Sequence, residues 1–344
     1  WQVLRVEQES EDIRSFYLQP PAGIAVNFAP GQHLPVRLAI GEQALIRTYS
    51  LSSAPSDGEL RISVKAQGPA SRHLHEQVRL GDRLQARAPM GSFTLKGDSA
   101  RPVVLIGAGV GITPLLSMLR ELAASPARRV HLFQSARTLS QLPFQREIAE
   151  LRQRAPQLQV HRALSRPEPE AVFGRDFEQA GRLDIEAIKA RLPLDDYDFY
   201  VCGPGEFTQA IYDGLRGLNI ADARIHAETF GPSTLKRRGD GQAPALVQPP
   251  AATEPVPVYF AGSAKEARWK PDSGTLLELA EARGLSPDFS CRGGSCGTCR
   301  TKIVSGQVHY PNPPAELPEA GSALICCAIP AQDESGVQPL VLDL

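Results

Sequence analysis

Three cysteines crowd into nine residues near the end of the chain, in the stretch CRGGSCGTC at positions 291–299. Cys326 and Cys327 follow, whereas the 290 residues before the stretch contain only Cys202. Disulfide frameworks distribute cysteines through small secreted chains, so this distribution favours a reducing, cytoplasmic compartment and a bound metal. The last part of the chain is therefore expected to fold around a metal site.

The spacing of these thiols separates the possible metals. C-x4-C-x2-C with one more distant cysteine is the ligation pattern of a plant-type [2Fe–2S] cluster, and Cys326 or Cys327 can supply that fourth thiol. Zinc sites normally combine two C-x2-C units or add histidines. Only one C-x2-C unit exists here and His309 is the sole histidine nearby, so the spacing favours the iron–sulfur cluster.

The chain of 344 residues is longer than a single hydrophobic core usually supports, so more than one domain is expected. Its segments have three different sequence patterns, which indicates three domains. Residues 1–98 contain short alternating runs separated by turns, which predicts an antiparallel β-barrel. In residues 99–230 apolar strands alternate with helices, which predicts an α/β domain with a parallel sheet. Residues 231–254 are rich in Pro, Ala and Gly and are predicted to be a flexible linker. Residues 255–344 are expected to form a last small unit. Helices are predicted near 71–78, 114–124, 143–153, 184–191, 205–218 and 274–283.

Composition and charge exclude several classes of function. A net charge of −1 provides no basic field for nucleic acid, and no apolar run approaches the length of a membrane span. Two charged clusters are interpreted as solvated: Asp195, Asp196 and Asp198 before a strand, and residues 236–238 in the linker.

The stretch VVLIGAGVGITPLLSML at 103–119 has the pattern of a strand, a glycine turn and a helix. Such a turn lets the backbone approach a ligand, and the helix N-terminus, which Thr113 is placed to cap, favours phosphate. The fingerprint G-x-G-x-x-G is incomplete, since Ile112 stands where its third glycine belongs. A second strand, in YVCGPGEF at 200–207, places Cys202 at the carboxyl end of a parallel strand, where such sheets bind ligands.

Together these two motifs resemble the nicotinamide domain of the ferredoxin–NADP reductase superfamily. The resemblance implies that the first loop holds a pyrophosphate and that the cysteine of CGP lies beside the nicotinamide. The residues it implicates are Gly107, Gly109, Gly111, Thr113, Cys202, Gly203 and Pro204. Ser135 and Arg137 stand where the superfamily reads the 2′-phosphate, and an arginine could pair with that group. A single arginine on a loop is more often a solvated surface charge, so NADH is favoured while NADPH stays open.

The stretch RTYSLSSAP at 47–55 resembles the flavin motif R-x-Y-S/T of the same superfamily. The resemblance implies that Arg47 meets a phosphate, that Tyr49 packs on the flavin ring, and that Thr48 and Ser50 bond its polar edge. GPAS at 68–71 resembles the companion motif G-x-x-S, with Gly68 and Ser71 opening a helix towards the flavin phosphates. ETF at 228–230 resembles the segment that closes over the flavin, through Glu228 and Phe230. The local residues are similar to the FAD-binding flavohaemoglobin version, whereas the domain order is that of phthalate dioxygenase reductase, whose relatives use FMN; FAD is expected, with FMN as the alternative.

Residues 255–344 resemble plant-type ferredoxins of β-grasp fold. CRGGSCGTC matches their cluster loop, and CCAIP matches the region of their fourth ligand, which stands four residues before a proline. Pro330 then selects Cys326. The implied ligands are Cys291, Cys296, Cys299 and Cys326.

A nicotinamide gives up two electrons as hydride, a [2Fe–2S] cluster accepts one at a time, and a flavin can do both. The expected protein is an NAD(P)H-dependent iron–sulfur flavoprotein reductase, with Cys202, Tyr49 and Ser50 closest to the transfer. It would supply an oxygenase or another redox domain, which the missing initiator methionine before Trp1 suggests is fused upstream. The alternatives are a stand-alone reductase of a separate Rieske-type oxygenase and a redox sensor module.

Overall fold

The computed structural model describes residues 1–41, 43–125, 127–230, 235–238, 248–285, 287–289, 293–294, 297–314, 317–332, 336 and 338–344, with only the backbone of residues 43 and 44. The chain divides into two compact units, residues 1–240 and 241–344. Among the described residues, no helix combines the length and the hydropathy that crossing a bilayer requires.

The N-terminal part of the first unit is built from antiparallel strands. They are β1 (Gln2–Gln8), β2 (Ile13–Gln19), β3 (His33–Ile40), β4 (Gln43–Ser50), β5 (Leu60–Lys65) and β6 (Gln85–Ala86), with the helix α1 (Pro69–Gln77) after β5. They form two sheets, ordered β1-β2-β5 and β4-β3-β6, which a bridge between Leu51 and Ile62 connects. Alternation in β3 turns Leu34, Val36 and Leu38 into the shared core.

The second part of this unit alternates strands and helices. They are β7 (Val103–Ala108), α2 (Ile112–Ala124), β8 (Val130–Ala136), α3 (Gln145–Arg154), β9 (Leu158–Leu164), β10 (Gln179–Ala180), α4 (Ile185–Lys189), β11 (Asp198–Pro204), α5 (Gly205–Gly217) and β12 (Ile225–Phe230). The sheet order is β10-β9-β8-β7-β11-β12, and every pair is parallel. The strand order reverses between β7 and β11, which makes the carboxyl ends of these two strands the natural crevice for a ligand.

The second unit is a small mixed sheet with one helix packed on it. Its elements are β13 (Val256–Phe260), β14 (Lys265–Trp269), α6 (Leu276–Ala282), β15 (Arg300–Ser305), β16 (Val308–His309), β17 (Ser322–Leu324), β18 (Ile329–Pro330) and β19 (Leu340–Leu342). The main sheet is ordered β14-β13-β19-β15-β17, and β16 pairs separately with β18. Leu276, Leu277 and Ala280 bury one face of α6 against this core. The predicted fold class is confirmed in all three parts.

Individual elements differ from the sequence-based expectation in informative ways. The strand β9 was not predicted, because LQVHRAL mixes polar with apolar residues although it lies inside the sheet. The helix α4 is shorter than the predicted helix at 184–191, since it ends at Lys189. The domain boundaries remain predictions.

Both described ends of the predicted linker are held by their own unit. The backbone N–H of Lys236 donates to Gln209 Oε1 at 2.8 Å, and that of Arg238 donates to Tyr212 Oη at 2.6 Å. Arg237 is not solvated as predicted, since its guanidinium pairs with Asp222.

At the other end, Gln248 forms two hydrogen bonds with the backbone of Tyr310, both of 3.0 Å. Residues 239–247 lie outside the described residues. Ten residue steps separate Arg238 from Gln248, so these two residues are at most roughly 33–36 Å apart.

Candidate functional site

The predicted dinucleotide residues meet at one edge of the parallel sheet. Cys202 pairs in register with Gly107 on one side and with Glu228 on the other. Ser135 is in register with Ala108, and Phe230 with Pro204. The ends of β7, β8, β11 and β12 therefore bring together residues that are far apart in sequence.

The glycine turn Gly109–Gly111 needs its glycines for two different reasons. Gly109 has a φ of +56° and a Cβ there would meet no atom within 4 Å, so its side of the turn faces open space. A Cβ on Gly111 would overlap the carbonyl group of Cys202 and lie 2.7 Å from Gly203 Cα. Gly111 thus lets β7 and β11 converge, and Gly109 leaves a cradle open above the start of α2.

The predicted capping role of Thr113 is wrong. Thr113 is the second residue of α2, and its hydroxyl donates to the Val110 carbonyl at 2.9 Å rather than accepting a helix N–H. No side chain caps this helix. The Ile112 N–H bonds the Gly109 and Val110 carbonyls and Pro114 has no N–H. An anion at this end would therefore meet the open side of the glycine turn and the positive end of the helix dipole.

The thiol of Cys202 is fully buried. Burial, and then the charge of Glu228, raise its pKa well above the ordinary value. Cys202 is therefore a neutral thiol at physiological pH rather than a nucleophile. Gly203 follows under the ring of Phe207, and Pro204 directly precedes α5.

Arg137 has a companion that the sequence did not reveal. The backbone N–H of Arg166 donates to the Arg137 carbonyl at 2.7 Å, which places the two residues side by side after β8 and β9. Both are exposed, and in the described part of the chain neither guanidinium has a hydrogen bond or ion pair. Two adjacent unpaired guanidiniums next to Ser135 are suited to a phosphate group.

A second missed residue, Glu168, orders the loop that follows β8. Its carboxylate accepts the backbone N–H groups of Leu139 at 2.6 Å and Ser140 at 3.1 Å. Desolvation alone would raise the pKa of Glu168, but these hydrogen bonds outweigh it and lower the pKa to about 2. The carboxylate is thereby engaged with the loop and does not neutralise the two arginines.

The predicted flavin residues lie along β4, in register with β3. Tyr49 is opposite Leu34, and Ser50 is opposite His33. Burial raises the pKa of the half-buried Tyr49, and Ser50 is buried. His33 was not singled out in the sequence; burial lowers its pKa to about 4, so it is neutral next to this strand.

The other two residues of that motif differ in orientation along the strand. Arg47 and Tyr49 share one face of β4 and Thr48 shares the other with Ser50, because side chains alternate. Arg47 Nη1 donates to the Ile46 carbonyl at 2.8 Å.

In the companion motif, Ser71 is used by its own loop. Its hydroxyl accepts the N–H groups of Gln67 at 3.0 Å and Gly68 at 2.9 Å, and donates to the Gly68 carbonyl. Ser71 therefore fixes the start of α1 rather than reaching outward itself. Gly68, the N-cap residue, has nothing within 4 Å of where a Cβ would lie.

The flavin motif and the glycine turn belong to the same compact unit. The glycine turn packs beside β5, whose residue Ile62 is bridged to Leu51 directly after Ser50. Phe230, at the end of β12, packs against the core that contains Ile112 and Cys202. A flat ring on β4 and a dinucleotide on the glycine turn would thus be held by adjoining elements.

The described thiols of the second unit gather in its core. Cys299, Cys326 and Cys327 are all buried, and none forms a disulfide. Cys291 and Cys296 lie outside the described residues. A Cβ on Gly294, inside the cysteine loop, would lie 2.8 Å from Cys327 Sγ, so the adjacent thiol fills the space that this glycine leaves.

Tyr310 lies among these thiols. Its hydroxyl accepts the Leu324 N–H at 3.2 Å. Burial raises the pKa of Tyr310. The hydrogen bond from Leu324 lowers that pKa, and the charges of Cys327, Cys299 and Cys326 raise it further.

The donor sets fit the groups that the fold implies. Buried sulfur donors without disulfides suit iron, the open cradle at Gly109 suits a pyrophosphate, and the half-buried phenol of Tyr49 suits a flat ring.

Comparison with known families agrees with this division. Residues 1–95 match the oxidoreductase FAD-binding domain, residues 105–213 the oxidoreductase NAD-binding domain, and residues 258–331 the 2Fe-2S iron-sulfur cluster binding domain. A flavohemoprotein from Chromobacterium violaceum is 43% identical over 245 residues, which are 67% of this chain and 61% of that protein. The chain thus spans about three fifths of the length of the curated relatives it matches.

Solved structures extend the likeness to both units. The flavohem-like FAD/NAD binding domain of nitric oxide dioxygenase from Vibrio cholerae is 33% identical, with a TM-score of 0.60, over 67% of this chain and 98% of that one. Phthalate dioxygenase reductase, a modular structure for electron transfer from pyridine nucleotides to [2Fe-2S], has a TM-score of 0.62 at 23% identity, over 100% and 97% of the two chains. That second likeness concerns the fold.

Proposed function

The chain belongs to the ferredoxin–NADP reductase superfamily and ends in a [2Fe–2S] ferredoxin domain, and from this premise we propose that it passes electrons from NAD(P)H through FAD and the cluster to a separate redox protein or domain. It is an NAD(P)H oxidoreductase, with FAD, a [2Fe–2S] cluster and NAD(H) as its cofactors. The proposal concerns the residues that do this and the acceptor they serve.

One observation carries the proposal: the glycine turn lies beside Cys202 and β5 within a single compact unit. Through the bridge between Leu51 and Ile62, β5 adjoins β4, the strand of the flavin motif, which we call the flavin strand. The positive end of the α2 dipole would attract the pyrophosphate, and the open side of Gly109 would let it approach. The neutral, buried Cys202 would lie behind the nicotinamide site and keep that side of it free of water.

On the flavin side, Tyr49 would cover one face of the ring and Ser50 would bond its polar edge. Arg47 and the start of α1, fixed by Ser71, would hold the flavin phosphates. Bound FAD supplies the exchange between two-electron and one-electron transfer. In the second unit Cys291, Cys296, Cys299 and Cys326 would ligate the iron.

The acceptor is proposed from the length of the relatives. The matched flavohemoproteins are longer than this chain, which supports a further redox domain on the same polypeptide, of the oxygenase type. A stand-alone reductase serving a separate Rieske-type oxygenase is the other form of the same proposal. The cytoplasm, where thiols stay reduced, is the compartment proposed for it.

Two one-electron acceptors test the sequence of transfers in the holoenzyme. NADH or NADPH should reduce the flavin, and reduction of ferricyanide should survive Cys326→Ser while reduction of cytochrome c and the cluster absorbance are lost. Cys327→Ser is the matched control and should keep both. Failure of both dinucleotides to reduce the flavin would contradict the function. Slow cytochrome c reduction by the intact enzyme would favour a redox sensor, and loss of the cluster in Cys327→Ser but not in Cys326→Ser would exchange the ligand assignment.

A further inference from the structure

Four charged residues join the flavin-binding part of the first unit to the helices of its nicotinamide-binding part. Arg61 Nη1 and Nη2 bind Glu147 Oε2 and Oε1 at 2.7 and 3.1 Å, and Arg120 Nε and Nη2 bind Asp57 Oδ2 and Oδ1 at 2.7 and 2.8 Å. Arg120 also contacts Glu147. These residues, which we call the Arg61 junction, form two bidentate pairs linked through one shared carboxylate.

Arg61 is buried, with only 4% of the residue exposed, and every one of its side-chain N–H groups has a hydrogen-bond partner. Nε donates to Ser52 Oγ at 2.9 Å, Nη2 donates to the Ser52 carbonyl at 2.7 Å, and Nη1 also donates to Tyr17 Oη at 3.3 Å. Burial alone would lower the pKa of Arg61, but the hydrogen bond and charge of Glu147 outweigh it and raise the pKa. With all five donors used, the guanidinium has one position.

That position ties the flavin motif to the nicotinamide-binding part. Ser52 stands two residues after Ser50 of the predicted flavin motif, whereas Glu147 stands in the first turn of α3. Arg120 lies on α2, the helix that follows the glycine turn. The junction thus links the flavin strand to both helices that begin after the predicted dinucleotide loops.

A strained residue sits at the same point. Phe144, immediately before α3, is buried and has a φ of +60° and a ψ of 25°, a conformation that bulky residues rarely adopt. The guanidinium carbon of Arg61 lies 5.2 Å from the centre of its ring. Such a conformation costs about 1–3 kcal/mol and persists only where the surroundings enforce it, so the start of α3 depends on what packs against it.

We propose that Arg61 is a positioning residue for hydride transfer, which acts through Glu147 to fix the dinucleotide-binding helices against the flavin strand. In that step one C–H bond of the dihydronicotinamide breaks, and the hydrogen leaves with both electrons and adds to the flavin, giving oxidised nicotinamide and reduced flavin. The proposal rests on the proposed function for the location of the two cofactors. A displacement of about 1 Å at the reacting atoms lowers such a rate by about 100-fold.

Glu147→Gln is the variant of choice, because it keeps the shape and one acceptor oxygen but removes the charge that both arginines share. Arg61→Lys keeps the charge and removes the fork, and serves as the second variant. Glu150→Gln is the matched control, since Glu150 pairs with Arg146 at 3.6 Å on the exposed face of the same helix.

The test is anaerobic stopped-flow reduction of the holoenzyme, with the nicotinamide–flavin charge-transfer absorbance and hydrogen exchange at residues 144–150 as readouts that do not depend on turnover. We expect the limiting rate of flavin reduction to fall about 10-fold or more in Glu147→Gln, with an unchanged dissociation constant for the dinucleotide, a weaker charge-transfer band and faster exchange. Arg61→Lys should behave alike, and Glu150→Gln should match the unmodified enzyme.

A limiting rate in Glu147→Gln and Arg61→Lys equal to that of the control would overturn the positioning role. A larger dissociation constant for the dinucleotide with an unchanged limiting rate would also overturn it, because the junction would then contribute to binding and not to hydride transfer. If the unmodified holoenzyme shows no flavin reduction at all, the proposed function fails instead, and the two failures are distinguishable.

Discussion

The two edges of the parallel sheet use the same kinds of residue in opposite ways. At the carboxyl edge, Arg137 and Arg166 lie side by side, and in the described part of the chain their guanidiniums have no partner. At the amino edge, arginines and aspartates are paired: Arg128 with Asp198 at 3.0 Å, and Arg101 with Asp196 at 2.7 Å. Unpaired charge at one edge suits an anionic ligand, and paired charge at the other stabilises the sheet.

The difference follows from how each edge is covered. Arg101, Arg128 and Asp196 stand just before β7, β8 and β11, and Asp198 is the first residue of β11. The ion pairs therefore cross-link the amino ends of these strands. The carboxyl edge instead ends in the glycine turn before α2, where Gly109 faces open space. Stability and binding should therefore respond to mutation separately at the two edges.

The largest expected effect is on stability, at the amino edge. Asp198→Ala leaves the guanidinium of Arg128, which is 9% exposed, without its carboxylate, and we expect a loss of about 3–5 kcal/mol in the free energy of unfolding. Urea unfolding measures it, and flavin reduction at saturating dinucleotide should stay within about twofold because no atom of the crevice is removed. Glu186→Ala, which breaks an exposed pair with Lys189, is the control and should cost less than about 0.5 kcal/mol. If Asp198→Ala loses no more stability than the control, the ion pairs of the amino edge do not stabilise the sheet.

At the carboxyl edge, Gly109→Ala should act on binding. The new methyl group would enter the open cradle above α2, and we expect the dissociation constant for the dinucleotide to rise about 10–100-fold, which isothermal titration of the holoenzyme measures. Gly174→Ala is matched to it, because Gly174 has a φ of +82° and also has open space around its Cβ position. Both variants should lose about 1 kcal/mol of stability. Equal binding by the two variants would show that the cradle holds no phosphate.

The two arginines of that edge should set the choice of dinucleotide. Removing both, as Arg137→Ala with Arg166→Ala, takes away the charges that would meet a 2′-phosphate. We expect the ratio of kcat/KM for NADPH to that for NADH to fall about 10-fold, measured by steady-state ferricyanide reduction. Arg152→Ala, on the exposed face of α3, should leave the ratio unchanged. An unchanged ratio in the double variant would assign these arginines to another role.

The smallest expected effect is a change in pH dependence at the amino edge. Burial, and then Arg129, lower the pKa of His131, against the opposing charge of Asp195. Because the unfolded chain then takes up a proton that the folded protein refuses, stability should decrease as the pH falls below about 6.5. In His131→Gln the decrease between about pH 7.5 and 5.5 should be smaller than in the unmodified protein, by urea unfolding at each pH. Identical decreases would mean that the edge is insensitive to this histidine.

The fold was largely predictable because its signals are local. HLPVRLAI alternates and forms β3, and GAGVGITP has the turn and helix start that its glycines indicate. Thr113 shows the limit of such reasoning, since a residue at a suitable position for a cap bonds a carbonyl instead.

What could not be predicted depends on pairs that the sequence separates widely. Arg61 and Glu147 are 86 residues apart, and Arg166 reaches Arg137 only because β8 and β9 are parallel and in register. Asp198 was predicted to be solvated, whereas the fold supplies Arg128 as its partner. No local pattern encodes which strands become neighbours, so these contacts emerge with the topology.

The anchored ends of the connecting segment have a consequence for concentration. Since Gln248 can lie no farther than roughly 36 Å from Arg238, the ferredoxin unit is present around its own reductase at an effective concentration on the order of millimolar. Dilution of the protein leaves that value unchanged, whereas a soluble competitor must match it in free solution. Electron delivery inside the chain should therefore be insensitive to enzyme concentration, and delivery to a separate acceptor should not.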